Sequence, residues 1–369
     1  MNRFISQKFR FYSFVCIALL LFVHGYNLNQ AYLQPFSQVR ENMTFTTFFE
    51  YLFANGLLRF RIPLLFMISG YIFAMQDNRS YGDRIRKRFV SLMIPFFIWS
   101  AIGLLITFLL QQFPVTAQAV LNSKLDQLGD NRPYTEIGWN GILYRWLVVP
   151  ISFQLWFIRS LFLYNVLYPV FRWVVTKYPV IWFSVLFILW IGIFDLLIVE
   201  ALGMFFFTLG IWLQKTHFPI DRKPAWFSSY ISWLCFIGFA VIKTFMAFEF
   251  EEYSPLNVVL MILLHYGSIM AGILAVWFSA DAVVKWCMQR KWFLWATAFS
   301  FIIYGLHVPL LPYITNLVCM YCHHLAYYRL ITFIFVPFTV LLFCIGIGAL
   351  LRAAVPGFYK LATGGRGFN

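Results

Sequence analysis

The chain has 369 residues, of which 62% are apolar and 11% charged, with a net charge of +14. Soluble domains carry about 25% charged residues, so this composition cannot cover a water-facing surface and excludes an ordinary soluble enzyme. In so apolar a chain the basic excess fits Lys and Arg held on one side of a membrane, not a nucleic-acid partner.

A spanning helix needs about 20 apolar residues. Such stretches follow in chain order at 11–28, 57–76, 91–111, 153–171, 179–195, 197–214, 228–248, 257–278, 294–314 and 330–351. The expected fold class is therefore all-α: a polytopic membrane helix bundle of about ten transmembrane helices, read as a single integral membrane domain over 1–369. The first run follows Arg3, Lys8 and Arg10 as a signal peptide would, but no small-residue cleavage site follows it, so it reads as a retained helix. The 179–214 stretch is interrupted only by Asp195 and Glu200. It predicts either two spans with a tight turn or one span and a re-entrant piece.

With the N-terminus inside and the spans alternating, inside segments hold 19 Lys and Arg while outside loops hold 5. That asymmetry predicts an even number of spans with N- and C-termini cytoplasmic. The remaining cations, Arg59, Arg61, Arg159 and Lys243, fall inside predicted spans.

Ionisable side chains at membrane depth are costly, so each marks a functional hypothesis. His24 sits beyond the middle of the first span, toward the outside. A neutral imidazole there can take a proton from a hydroxyl; a hydrogen-bonded packing histidine is the alternative. Arg59 and Arg61 begin the second span, where they either snorkel to the interface or hold a polar or anionic substrate group facing His24. Residues 79–88 read RSYGDRIRKR. The cluster of Arg84, Arg86, Lys87 and Arg88 suits phosphate, or serves as an anchor on anionic lipid. His307, between Tyr304 and Pro309, is also at depth, and packing, ligand and relay roles are all open to it. Pro63, Ser69-Gly70, Pro309 and Pro312 mark helix breaks, which membranes tolerate where they line a cavity. Cys319 to His323 match C-x-x-C-H, the haem attachment pattern. A local disulfide, a weak metal site with His324, or plain surface residues are simpler readings of that segment, and no metal is expected.

Five segments in order carry a resemblance. They are IALLLFVHGYN (17–27), RFRIPLLFMISGYIF (59–73), RIRKRFVSLMIPFFIW (84–99), QLWFIRSLFLYNVLYPV (154–170) and SFIIYGLHVPLL (300–311). Together they resemble the membrane-bound acyltransferase 3 family, the ten-helix O-acyltransferases that modify bacterial surface polysaccharides and small sugars. The resemblance implies transfer of an acyl group, acetyl being expected, from cytoplasmic acetyl-CoA to a sugar hydroxyl. It implies a carbohydrate acceptor and membrane lipids as partners, and a multi-pass place in the bacterial inner membrane. His24 matches the family's essential histidine. Arg61, Ser69 and Gly70 match its second-helix motif, Tyr304 and His307 the late one, and Arg84, Arg86, Lys87 and Arg88 its donor-side cluster. Catalytic roles are expected of His24, Arg61, Tyr304 and His307, and substrate contacts of Arg59, Ser69, Trp156 and Arg159. One position departs: Ser13 stands eleven residues before His24, where the family often has Arg or Lys, and the nearest basic residue is Arg10. A transporter or flippase of sugar or lipid intermediates is the alternative function, although the two halves of the chain show no paired breaks.

Overall fold

The computed structural model describes residues 2–26, 37–123, 125, 133–192, 195–196, 199–249 and 254–367. Among the described residues, seven helices are long and apolar enough to cross a membrane. They are α1 (Arg3–His24), α2 (Phe45–Ala74), α3 (Tyr81–Gln111), α10 (Ser229–Glu249), α11 (Pro255–Ser279), α14 (Ser300–Cys322) and α15 (Tyr328–Ala354). Each coincides with a predicted apolar stretch, and the fold is all-helical and membrane-spanning as the composition requires.

The count differs from ten in the middle of the chain. Instead of long spans, residues 153–215 form a 3-10 turn (Phe153–Leu155), then α6 (Trp156–Val166), α7 (Tyr168–Lys177), α8 (Pro179–Ile191) and α9 (Ala201–Lys215). Pro169 and Pro179 occupy the first turns of α7 and α8. Proline lacks the N–H that a helix interior needs, but the first turn leaves its N–H groups unpaired anyway, so proline starts a helix and cannot continue one. The axes of α7 and α8 meet at 117°, and taking that pair as one span raises the count to eight. Between α8 and α9, β1 (Asp195–Leu196) pairs antiparallel with β2 (Val199–Glu200). Residues 197–198, which join the two strands, lie outside the described residues, and neither α8 nor α9 is long enough by itself to be one of the seven spans. The loop read at 112–152 carries helices of its own, α4 (Pro114–Asn122) and α5 (Tyr134–Leu147).

The chain folds as two compact units, one of Met1–Cys16, Tyr32–Phe89 and Arg159–Leu294, the other of Ile17–Ala31, Val90–Ile158 and Trp295–Asn369. In the first unit α2 and α9 approach until their backbones nearly touch. A Cβ placed on Gly70 would lie 2.0 Å from Phe207 O, and one on Gly210 would lie 2.0 Å from Met67 O. Small residues at such crossings let helices gain dispersion energy where lipid offers no hydrophobic drive. The Ser69-Gly70 pair therefore marks a helix crossing; α2 keeps its helical path through it. Farther along, Lys8 on α1 pairs with Asp281 at 2.6 Å, at the start of α12 (Asp281–Met288).

In the second unit α14 lies against α3 and α15. Gly305 leaves room for the Trp99 ring, whose Cδ2 would be 2.4 Å from a Cβ there. The Trp99 indole donates to Ala362 O at 2.8 Å, tying α3 to the short α16 (Pro356–Ala362). Leu104, Tyr134, Ile151, Val308 and Tyr313 form a core between α3, α5 and α14. Within it the Thr107 and Tyr313 hydroxyls sit 2.9 Å apart.

Candidate active site

The second unit builds its polar centre around a break in α14. Pro309 has no N–H, so Gly305 O loses its helical donor; Pro312 does the same to Val308 O. At the break Val308 leaves helical geometry, with φ −109 and ψ 130. Buried carbonyls need partners, and here side chains supply them. Gln154 Nε2 lies 3.2 Å from Tyr304 O, 3.3 Å from Gly305 O and 3.3 Å from Val308 O. Ser152 Oγ donates to Val308 O at 3.0 Å. In return the Tyr304 hydroxyl donates to Gln154 O at 2.5 Å. The turn before α6 and the broken turn of α14 are thereby laced together. Gln154 is 2% exposed, and its Oε1 has no hydrogen-bond partner among the described residues.

His307 sits in this turn, fully buried. Its Nδ1 lies 2.9 Å from Ile303 O. A carbonyl only accepts, so Nδ1 carries the hydrogen and the neutral ring keeps its lone pair on Nε2. His24 ends α1 and is half-buried. Its ring lies 5.5 Å from the His307 ring, centroid to centroid, with the planes 32° apart. Phe153 also packs on His24, edge to face with ring centroids 4.7 Å apart. The arrangement puts two imidazoles side by side against an aromatic wall, where one or both can accept a proton from a bound hydroxyl.

The structure thus brings His24, Tyr304 and His307 together. Tyr304 spends its hydroxyl on Gln154 O, so it holds the turn in shape. Trp156 opens α6 in the same unit, half-buried, its ring 6.2 Å from Phe157.

The other predicted site residues belong to the first unit. Arg61 is 2% exposed and its Nε donates to Leu58 O. Arg59 donates from Nη2 to Asn55 Oδ1. Ser69 on α2 and Arg159 on α6 are half-buried. The basic cluster at the start of α3 does not form one surface. Arg84 is 5% exposed and turned inward: it pairs with Asp77 at 2.9 Å, donates to Phe73 O at 2.8 Å, and lies over the Phe73 and Tyr168 rings. Arg88 is half-buried, 5.3 Å from the Phe73 ring centroid. Arg86 and Lys87 are exposed. The reason is helical geometry: the residue four positions after Arg84 shares its inward face, while those between point away.

Asp77 anchors this end of the unit. It pairs with Arg172 at 3.2 Å and Lys215 at 2.5 Å, and accepts from the Tyr168 hydroxyl at 2.6 Å. Burial pushes its carboxyl up, but the hydrogen bonds from Lys215 and Tyr168 and the charges of Lys215 and Arg172 outweigh burial and hold it below the usual carboxylate range.

Cys319 and Cys322 lie in the last turns of α14 and are not joined as a disulfide. Among the described residues no three His, Cys, Asp or Glu side chains are grouped as a metal site. Sequence reasoning missed Ser152, Gln154 and Asp77. A signal for the first two existed, since two prolines in one helix free two carbonyls that must find donors. Which side chains would reach them depends on the packing of distant elements.

The acyltransferase 3 family model, described as an acyltransferase domain, matches residues 14–352. No curated protein and no solved structure matches the chain. The matched range holds His24, the Gln154 turn and the broken turn of α14, and it takes in most of the long apolar helices. The chain belongs to the acyltransferase 3 family and is a multi-pass membrane acyltransferase.

Proposed function

We propose that the protein transfers an acyl group, acetyl in the simplest case, from acyl-CoA to a hydroxyl of a sugar in a surface polysaccharide or glycan precursor. The observation that carries this reading is the His24–His307 pair, held against Phe153 beside the laced turn of α14. In the proposed reaction His24 takes the proton of the acceptor hydroxyl as its oxygen attacks the thioester carbonyl. A C–O bond forms, the carbonyl oxygen carries the negative charge of a tetrahedral intermediate, and the C–S bond then breaks. The CoA thiolate leaves and takes up the proton held by the histidine. General-base catalysis of this kind is worth about 10²–10⁴-fold. His307 stands next in line as a second acceptor, its lone pair set on Nε2 by the bond from Nδ1 to Ile303 O. The donor's phosphates pair with Arg86 and Lys87, the exposed cations of the basic cluster. The cluster of Lys and Arg beside α3 supports a donor reached from the cytoplasmic side, where membrane proteins concentrate these residues.

The test is CoA release. Purified protein in detergent with acetyl-CoA should release free thiol only when a sugar acceptor is added. His24→Ala should lower that release by about 10²–10⁴-fold and keep its unfolding temperature. Solute uptake into vesicles by native protein, with no thiol released, would favour the transporter reading instead.

A further inference from the structure

The first unit holds an apolar cavity that the acyl-transfer chemistry above does not use. It measures about 180 Å³ and lies between α1, α2, α9, α11 and the segment 216–228 that joins α9 to α10. None of the described residues lining it is charged. On α9 it runs from Phe206 to Leu213, and on α11 from Met270 to Phe278, a run of about 12 Å. Phe9 and Tyr71 close it from α1 and α2, their ring centroids 5.5 Å apart. Packed interiors leave few voids of this size. A void with apolar walls stays dry and takes apolar guests in preference to water.

The cavity opens on a surface that faces lipid. Leu256, Leu260 and Leu263 form an exposed apolar stripe on the spanning helix α11, at the three- and four-residue spacing that puts side chains on one face. Met270, 36% exposed, and Leu274, half-buried, carry that stripe into the cavity. One end differs in character. There Phe218, Ile220 and Trp226 of the 216–228 segment complete the wall. The Trp277 indole donates to Ile220 O at 2.9 Å and fixes that segment on α11. Trp226 is 68% exposed, and tryptophan favours the headgroup level of a membrane. Between Ile220 and Trp226 stand Asp221, Arg222 and Lys223, all exposed, which leaves one positive charge in excess. Asp221 and Lys223 both act electrostatically on Lys8, whose ammonium lies 4.5 Å from the Trp277 ring centroid, so the charged segment sits at this end of the cavity. Lys8 itself is matched by Asp281. Neither Arg222 nor Lys223 is ion-paired among the described residues.

A dry slot open to hydrocarbon, with a basic segment at one end, matches a molecule with an apolar chain and an anionic head. We propose that the cavity holds one acyl chain of an anionic membrane phospholipid, whose phosphate pairs with Arg222 and Lys223. The bound chain touches α1, α2, α9 and α11 together and so braces the first unit. The proposal does not depend on the acyl-transfer reading.

Native mass spectrometry of the purified full chain in detergent tests the site, with phosphatidylglycerol, phosphatidylcholine and palmitoyl-CoA as probes. The native protein should retain one phosphatidylglycerol, with a preference of about fivefold over phosphatidylcholine, the effect of one excess cation at a lipid surface. Leu274→Trp, which fills the cavity, should weaken retention of both lipids by roughly tenfold or more. Without lipid it should unfold at or above the native temperature, because it replaces empty space. Arg222→Gln combined with Lys223→Gln, at exposed positions, should still retain lipid but lose the preference. Should Leu274→Trp not fold, the double variant decides alone. Equal retention by native protein and folded Leu274→Trp overturns the cavity as the site. Equal retention of the two lipids by native protein, or an unchanged preference in the double variant, overturns the headgroup contact. Palmitoyl-CoA that displaces phosphatidylglycerol at equal concentration gives the cavity to an acyl donor and overturns the lipid. No CoA release is read, so this result and that of the acyl-transfer test are separate.

Discussion

His24, the last residue of α1, and His307, at the break of α14, lie ring beside ring with centroids 5.5 Å apart and planes tilted by 32°. The two come from opposite ends of the sequence, and each is placed by a different device. His24 is placed by the length of its helix. His307 is placed by a hydrogen bond to Ile303 O and by the lacing of the turn around it.

If the two imidazoles act as one unit, their losses do not add. His24→Ala and His307→Ala should each lower kcat for CoA release by about 10²–10⁴-fold, and the double variant should fall little further. Losses that multiply would show separate roles, and a single variant with native activity would remove that histidine from the mechanism.

Gln154 has two N–H donors within 3.3 Å of three carbonyls and touches no reacting atom, so it is a positioning residue. Gln154→Leu leaves the oxygens of Gly305 and Val308 short of donors and should cost about 1–3 kcal/mol of stability. Loosening the His307 turn should also lower kcat by about 10²-fold with little change in KM. Ser152→Ala, which removes one donor to Val308 O, should cost about 1 kcal/mol. Thermal unfolding together with initial rates checks both. A drop in stability with native kcat would confine Gln154 to a structural part.

Gly70 and Gly210 should not tolerate a methyl group. Each Cβ would meet backbone oxygen at 2.0 Å, which forces α2 and α9 apart. Gly70→Ala or Gly210→Ala should cost about 3 kcal/mol or prevent folding. Gly346→Ala is the control, since nothing lies within 4 Å of a Cβ there, and it should be neutral or stabilising by up to about 1 kcal/mol. Detergent unfolding of the three variants gives the comparison.

Asp77 predicts an acid limit to stability. Its carboxyl is held below the usual range, so its contribution is present above the unfolded value near 4 and is lost as pH falls through the folded value. Native protein should lose stability below about pH 4. Asp77→Asn should be less stable by about 3 kcal/mol at neutral pH, because Arg84 and Lys215 lose their counter-charge, and should show a flatter acid profile. An unchanged acid profile in that variant would clear Asp77 of the effect.

The basic cluster should divide by burial. Arg86→Ala and Lys87→Ala should raise KM for acyl-CoA by roughly 3–10-fold each, more at low salt, and leave Tm alone. Arg84→Ala should lower Tm by breaking its pair with Asp77. The opposite pattern would move donor binding away from the exposed residues.

Much of the architecture was legible in the chain. Apolar runs long enough to cross a membrane mark seven helices that are present, because a helix closes its own hydrogen bonds and needs only local sequence to form. The same holds for the break at Pro309. The candidate histidines were also legible, since an ionisable group in an apolar run stands out without any knowledge of its neighbours. What required the tertiary structure were the partners. Nothing local tells that His24 meets His307, that Gln154 answers the carbonyls freed by Pro309 and Pro312, or that Arg84 turns inward to Asp77 while Arg86 faces out. Nor does the sequence show that the prolines at 169 and 179 would cut the middle of the chain into short helices. Those outcomes depend on which surfaces pack together, and for a buried polar group the packing decides whether it is matched, strained or waiting for a ligand.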